Sequence, residues 1–301
     1  MSVNLLTHLS KCYGTDNVET VARRAAEELV GSDLHPYDAG HRFVDRRVTE
    51  ALQNLGVTVE KVGRSEASYL GRLYTTRSGF TIKIVEEIPP TTFRFVLSHE
   101  LAHTLSYKAS GTGPRRRFGN SKIEERVCDR IARQVLIPED LLGNDLELLR
   151  LDDDPMPIAD IKALSQDYAV KPWQIVRRVA ERRPDLSEHF VAILWKQTEP
   201  TVFIIVDSVH PDGIFVPARD RSFSDASTNH FPWRIRNSIA AASTLESVRV
   251  GSLSGDLETS GFSYNFGGHH WVVQLSRLDE KHRGQIDRWR AARTIRRSRS
   301  S

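Results

Sequence analysis

An α+β fold spread over more than one domain is what this sequence predicts, and three observations carry it. The chain has 301 residues, enough for two or three modest cores. Apolar residues recur at helical spacing in some stretches and in short β-type runs in others, and the β-type runs concentrate after residue 189. Between the two halves lies Leu151-Asp152-Asp153-Asp154-Pro155, an acidic break closed by proline. Four segments follow: a first domain over 1–150 with a small sheet, a helix-turn-helix-like helical module over 151–186, an α+β domain over 187–285 and a basic tail over 286–301.

The first helices are read from their stripes. Val18, Val21, Ala22, Ala25, Ala26 and Leu29 share one helical face, which Gly31 closes. Phe43, Val44, Val48, Ala51, Leu52 and Leu55 form a second, ended by Gly56. Val57 to Val62 then reads as a strand. Two more strands follow, Leu70 to Tyr74 and Phe80 to Val85, with Arg77-Ser78-Gly79 turning the chain between them. Pro89-Pro90 marks the start of the next helix, because proline is tolerated in a helix only at its first turn; Thr91 or Thr92 is expected to cap it.

That helix carries the chemistry. In His99-Glu100-Leu101-Ala102-His103 the histidines are four apart, one above the other on one face. Two imidazoles so placed hold one Zn²⁺ through nitrogen at roughly 2.0–2.1 Å. Glu100 points slightly aside, which suits a base that takes a proton from water activated by the metal. The pattern is short and also occurs in core helices with incidental histidines, so the reading needs a third ligand.

Ser121-Lys122-Ile123-Glu124 reads as a capping box, opening a helix that runs to Ile137 and stops at Pro138. Glu125 and Asp129 share one face of it. Glu125 is a candidate third ligand, with Glu124 as its competitor, and Asp129 is placed to accept the free N–H of a ligand histidine. Cys128 lies on the same side, where a lone cysteine more often packs than ligates. Tyr107, one turn beyond His103, is assigned no role. The Gly- and Pro-containing stretch from Lys108 to Asn120 reads as a solvated basic loop, whose Arg115, Arg116 and Arg117 could steer an acidic partner.

Arg94 to His103 resembles the Arg-Phe-x-x-Ala-His-Glu-x-x-His block of the ImmA/IrrE family of bacterial metallopeptidases. Glu125 to Pro138 is similar to that family's second block, in which a glutamate ligand is followed by Asn or Asp and then Phe-Ala-x-x-Leu-Leu-Met-Pro. Ser98 stands for Ala, Ile131 for Phe and Ile137 for Met, all of them small or apolar. The match to the second block, together with Asp129, favours Glu125 over Glu124. The resemblance covers about 70–140. It implies a zincin-like metallopeptidase domain over 1–150, in which His99, His103 and Glu125 hold Zn²⁺ (or Mn²⁺) and Glu100 is the catalytic base. It also implies site-specific cleavage of a protein substrate, a transcriptional repressor of the helix-turn-helix type, in a stress response or a mobile element. In such peptidases a sheet edge near the active site pairs with extended substrate through main-chain hydrogen bonds. Which strand forms that edge is not legible here.

The rest narrows the class. A net charge of +3 is small for the length and points to no special partner, although basic residues are clustered. Cys12 and Cys128 make no disulfide framework, the first residues lack the basic and apolar regions of a secretory signal, and no apolar run approaches membrane-spanning length. The cytoplasm is the expected compartment, with no membrane partner. Ile158 to Val170 and Pro172 to Val179 read as two helices in a short turn. Direct DNA binding would send Arg177 and Arg178 into the major groove. Trp173, Ile175, Val176 and Val179 claim much of that helix for packing, so a structural or partner-docking role is favoured. A catalytically weak DNA- or protein-binding regulatory module is the alternative to an enzyme, and the intact Glu100 argues against it. Toward the C-terminus, Phe190 to Trp195, Val202 to Val206, Ile214 to Pro217 and His270 to Leu275 read as strands, with a helix around Trp233 to Ala242. This region resembles, weakly, the sensor-like C-terminal regions of the same family. His269 and His270 fall on opposite faces of a strand, so they are not read as one metal site.

Overall fold

The computed structural model describes residues 4–31, 41–108, 114–118, 121–148, 158–183, 190–200, 202–210, 222–224, 242–250, 253–266 and 268–278, and beyond these only 280, 283, 284, 286–288 and 291. It is a mixed α+β structure with small sheets. The chain divides into two compact units, Met1–Leu149 with Ala163–Arg178, and Arg150–Lys162 with Val179–Ser301. Among the described residues no helix is long and apolar enough to cross a membrane.

The first unit opens with three helices, α1 (Leu5–Tyr13), α2 (Val18–Val30) and α3 (His41–Asn54). The sequence reading missed α1, which is short; Asn4 caps it by accepting from the Thr7 N–H at 2.9 Å. Then come β1 (Val57–Val62), β2 (Gly71–Thr75) and β3 (Phe80–Val85), close to the expected strands. They form a sheet of order β1-β3-β2, with β1 and β3 parallel and β2 antiparallel to β3, so β2 is an edge. Ile82 and Ile84 point to one face of β3 and are fully buried, each side chain contributing about 1.5–3 kcal/mol by leaving water.

Helix α4 (Pro90–His103) begins one residue after Pro89. The expected threonine cap does not form. Pro90 sits at the first helical position, where its missing N–H costs nothing, and the Pro89 carbonyl takes the Thr92 and Phe93 N–H groups, both at 2.9 Å. Thr92 is inside the helix and buried. A two-residue hairpin ladder, β4 (Tyr107–Lys108) with β5 (Arg115–Arg116), leads to α5 (Lys122–Leu136). Here Ser121 caps as predicted, accepting from the Glu124 N–H at 3.2 Å. Only this half of the box is made, because the Glu124 side chain turns inward. Helix α5 packs against α4 and α2.

Beyond α6 (Glu139–Leu148) lie α7 (Ile158–Asp167) and α8 (Pro172–Arg182). The turn between α7 and α8 belongs to the first unit and is tied to α4. Arg94 donates to Asp45 at 2.7 Å and to the carbonyls of Tyr168 at 2.6 Å and Ala169 at 2.9 Å. Ala169 has φ +48°, a left-handed value that a non-glycine residue holds only when its surroundings fix it. Trp173, Ile175 and Val176 are buried, as the packing reading expects.

Arg178 is fully buried as well. Its guanidinium donates to Glu19 at 2.5 Å, to Gln134 and Glu139 at 2.6 Å each, and to the Ile137 carbonyl at 3.1 Å. A charge this far from water persists only when fully paired. Its donors are therefore committed inside the unit, while Arg177 stacks its guanidinium 5.7 Å from the Trp173 ring centre.

In the second unit a six-stranded antiparallel sheet runs in the order β8-β7-β6-β11-β10-β9. The strands are β6 (Phe190–Glu199), β7 (Val202–Val209), β8 (Ser222–Ser224), β9 (Ala242–Val250), β10 (Leu253–Phe266) and β11 (His269–Arg277). Phe190 to Trp195 are all buried, which explains the unbroken apolar run. A buried polar chain crosses the centre: Trp195 donates to Gln274 at 2.9 Å, Gln274 to Ser276 at 3.3 Å, and Ser276 bonds Thr259 at 3.0 Å. The expected strand at 214–217, the acidic junction at 151–155 and the last ten residues of the basic tail lie outside the described residues. So does the expected helix over 233–241; Ala242, placed at its end, starts β9 instead.

Candidate metal centre

The last turns of α4 present His99 and His103 on one face, with their Nε2 atoms 3.2 Å apart. The first turn of α5 brings Glu125 opposite them. Its Oε2 is 3.2 Å from His99 Nε2 and its Oε1 3.6 Å from His103 Nε2. One ligand atom from each residue lies within 4.8 Å of the others, a group that could hold a metal ion. The donors fit such an ion. Bonds of roughly 2.0–2.1 Å in tetrahedral array separate ligand atoms by roughly 3.3–3.4 Å, close to the spacings found. Two ring nitrogens and a carboxylate oxygen, all electron-rich and this close, also need a cation among them. Without a metal a proton serves: burial works against the imidazolium of His99, but its hydrogen bonds to Asp129 and Glu125 outweigh burial and raise its pKa to about 9.

Each histidine is turned by a carboxylate behind it. Asp129, one turn along α5, accepts from His99 Nδ1 at 2.9 Å. Glu124 does the same for His103 Nδ1 at 3.1 Å. With Nδ1–H committed outward, each ring aims its Nε2 lone pair into the group. Glu124 is fully buried, and the same oxygen, Oε1, also accepts from Ser106 at 2.7 Å and from Arg116 at 2.7 Å. Burial opposes its charge, yet the hydrogen bonds from His103, Ser106 and Arg116 win and hold its carboxyl down at about 2. Among the described residues no donor reaches its Oε2.

Glu100 faces the edge strand. Its Oε2 accepts from the Leu73 N–H at 2.9 Å. Burial raises its pKa, against the pull of both histidines and of the Leu73 N–H. Gly71 permits this closeness. A Cβ there would run into Val96 Cγ1 and sit 3.2 Å from Glu100 Cγ, so only glycine lets β2 lie this near α4. Between them opens a cleft of about 560 Å³, lined by Tyr69, Arg72, Leu73, Glu100, His103 and Glu125 among others.

His99, Glu100, His103, Glu125 and Asp129 are thus brought together in one place. Two residues with a part in it were not anticipated. Glu124 was weighed as a ligand but stands behind His103, and Arg116, read with a solvated loop, pairs with Glu124. The Ser-x-x-Glu spacing marked Glu124 without showing which way it turns. Cys128 is fully buried, its Sγ 3.5 Å from His103 Nδ1. Burial and the surrounding carboxylates push its pKa far up, leaving a neutral thiol that packs. Tyr107 lines the cleft, its ring edge-on to Phe80 at 5.4 Å. His270 Nδ1 is hydrogen-bonded to Asn265 Oδ1 at 2.7 Å.

The chain matches no family model, and no curated protein matches it. Among solved structures it is similar to a Mycobacterium tuberculosis transcriptional regulator, with a TM-score of 0.54 at 12% identity, over 93% of this chain and 96% of that one. At that identity the likeness is one of fold.

Proposed function

We propose that the first unit is a zincin-like metallopeptidase domain of the ImmA/IrrE type, and that the protein is a zinc-dependent endopeptidase. Its support is the convergence of His99, His103 and Glu125 with Glu100 poised beside them at the edge of a sheet. Zn²⁺, or Mn²⁺, bound there supplies a Lewis acid that polarises a carbonyl and acidifies water. His99, His103 and Glu125 are its ligands, and Asp129 and Glu124 set the ring tautomers. Glu100 takes a proton from the attacking water and passes it to the departing amine. Along β2 the backbone groups of Gly71 and Thr75 and the Leu73 carbonyl face away from β3, where an extended substrate adds as a further strand, while the outward Leu73 N–H is held by Glu100.

The substrate is one cognate protein, a helix-turn-helix transcriptional repressor, cut at one site in the cytoplasm. The chain carries a whole unit that the hydrolytic chemistry does not need, and a solved structure of similar fold is that of a transcriptional regulator. Both favour regulation over digestion. The competing reading, a regulatory module that binds protein or DNA without cutting, separates from this one by a single variant. Glu100→Gln is expected to keep its metal and lose hydrolysis by at least ~10²-fold. The experiment incubates metal-loaded protein, wild type and Glu100→Gln, with the soluble proteome of its host and identifies new protein termini. One new terminus in a repressor, absent with the variant, is the expected result. A broad spread of termini, or a single one in a protein unrelated to transcription, sinks the repressor; equal cutting by both proteins sinks the base.

A further inference from the structure

The edge strand beside the metal group carries an unbalanced charge. Side chains alternate between the faces of a strand, so one face of the small sheet bears rows running across β1, β3 and β2. In one row Glu60 pairs with Lys83, and Lys83 with Arg72. Lys83 is compensated by Glu60 at 3.2 Å. Arg72 is not. Its neighbour in the row is the like-charged Lys83, and its described contacts are the rings of Tyr69 at 5.8 Å and Tyr74 at 5.9 Å. The two tyrosine hydroxyls bond each other at 2.9 Å, so the rings form a fixed seat for the guanidinium. The next place in the row, beyond Arg72, is the outer edge of β2, where Glu100 holds the Leu73 N–H, and Arg72 lines the cleft there.

We propose that Arg72 is a specificity-determining residue and that this edge takes an extended peptide segment with Asp or Glu at the position facing it. The inference rests on the peptidase reading for the use of the cleft, and goes beyond it in naming the chemistry of the substrate. A strand added to β2 sets one residue directly opposite Arg72, with Cβ atoms about 4.5–5.5 Å apart. A carboxylate there completes the row as acid, base, base, acid. A lysine or arginine there would be the third cation in line. The adjacent row, Thr58, Thr81 and Tyr74, is uncharged and asks for no charge, so the selection falls on one substrate position.

The test uses metal-loaded full-length protein and short fluorescein-labelled peptides in which one position at a time is varied. Cleavage is read with the wild type, and binding with Glu100→Gln. The expected result is an acidic preference of roughly two- to fivefold at one position, the scale of a cross-strand ion pair. It is lost in Arg72→Ala, turned to a basic preference in Arg72→Glu, and weakened by salt. Because Arg72 lies on the exposed side of its strand, both variants are expected to fold, and their metal content and circular dichroism verify it. Cleavage without an acidic preference, or one that survives Arg72→Glu, overturns the inference and leaves the peptidase reading standing. Binding that follows Arg72 with no cleavage of any peptide leaves the inference standing, and the peptidase reading then falls or stands by the cutting of the host proteome. No dependence on Arg72 in either readout overturns the inference.

Discussion

Helix α5 holds a charged cluster at each end, and the two are built on opposite plans. Near its C-terminal end Gln134 joins Glu19 and Glu139 around Arg178, a permanent cation supplied by the chain itself. Near its N-terminal end Glu125 meets His99 and His103, and no Lys or Arg among the described residues stands at the centre of that group. Arg116 is spent on Glu124 behind it. A cluster that contains its own counter-charge is closed and serves to hold α8 in place. One whose donors converge on a point without a fixed cation is open, and its ligand atoms could hold a metal ion from solution.

Breaking the closed cluster carries the largest expected effect. Arg178→Ala takes a shared buried cation from the carboxylates of Glu139 and of Glu19, which keeps Arg130 at 3.5 Å, at about 3 kcal/mol of stability, the low end for a broken buried ion pair. Urea denaturation of the metal-free protein measures it; a loss below about 1 kcal/mol would place Arg178 with ordinary surface pairs. The open cluster should answer in a different quantity. Asp129→Ala is expected to weaken metal binding by roughly 10–100-fold with the fold intact, read by competition against a chelating dye. Unchanged affinity would reduce the Asp129 contact to a surface pair.

Acid sharpens the contrast further. Glu124 is held at about 2 in the folded protein against an ordinary 4.5, so its contribution is complete above pH 4.5 and is lost as the pH falls through about 2. The metal-free stability curve of Glu124→Gln should therefore be flatter than that of the wild type across this window, and parallel curves would count against the buried carboxylate. The smallest effect is a proton. With His99 raised to about 9, metal uptake at neutral pH displaces about one proton from it, and apparent affinity climbs with pH up to about 9 before levelling. Calorimetry in buffers of differing ionisation heat counts that proton; a count of zero would contradict the raised pKa.

The open cluster was far more legible in the sequence than the closed one. His99, His103, Glu125 and Asp129 sit at helical spacings that declare a shared face, and two short segments contain them all. Arg178 meets Glu19 across 159 positions of chain, and nothing local distinguishes it from its neighbour Arg177. Amphipathic spacing showed that α8 packs, yet an arginine on a packing face reads as an exposed one until its partners are known. Glu124 failed for a different reason. Its place in a capping box was visible, but a side chain at a helix start can close the box or turn to the core, and the choice was made by His103, Ser106 and Arg116 from other segments. Of the large sheet, β6, β7 and β11 were read from their apolar runs, while β8, β9 and β10, and the strand order, which depends on pairing between distant segments, were not.

Gly71 bears on how this protein tolerates variation. Most positions absorb a methyl group with little effect, and random change to alanine is the mildest lesion a gene commonly meets. At Gly71 that lesion is a wedge. It has nowhere to go but between β2 and α4, against Val96 and Glu100. Strand β2 and the helix that carries Glu100 are then forced apart, although no charged or polar side chain has been altered. The functional geometry thus depends on an atom that is missing, and a survey of charged and polar side chains would pass over the position.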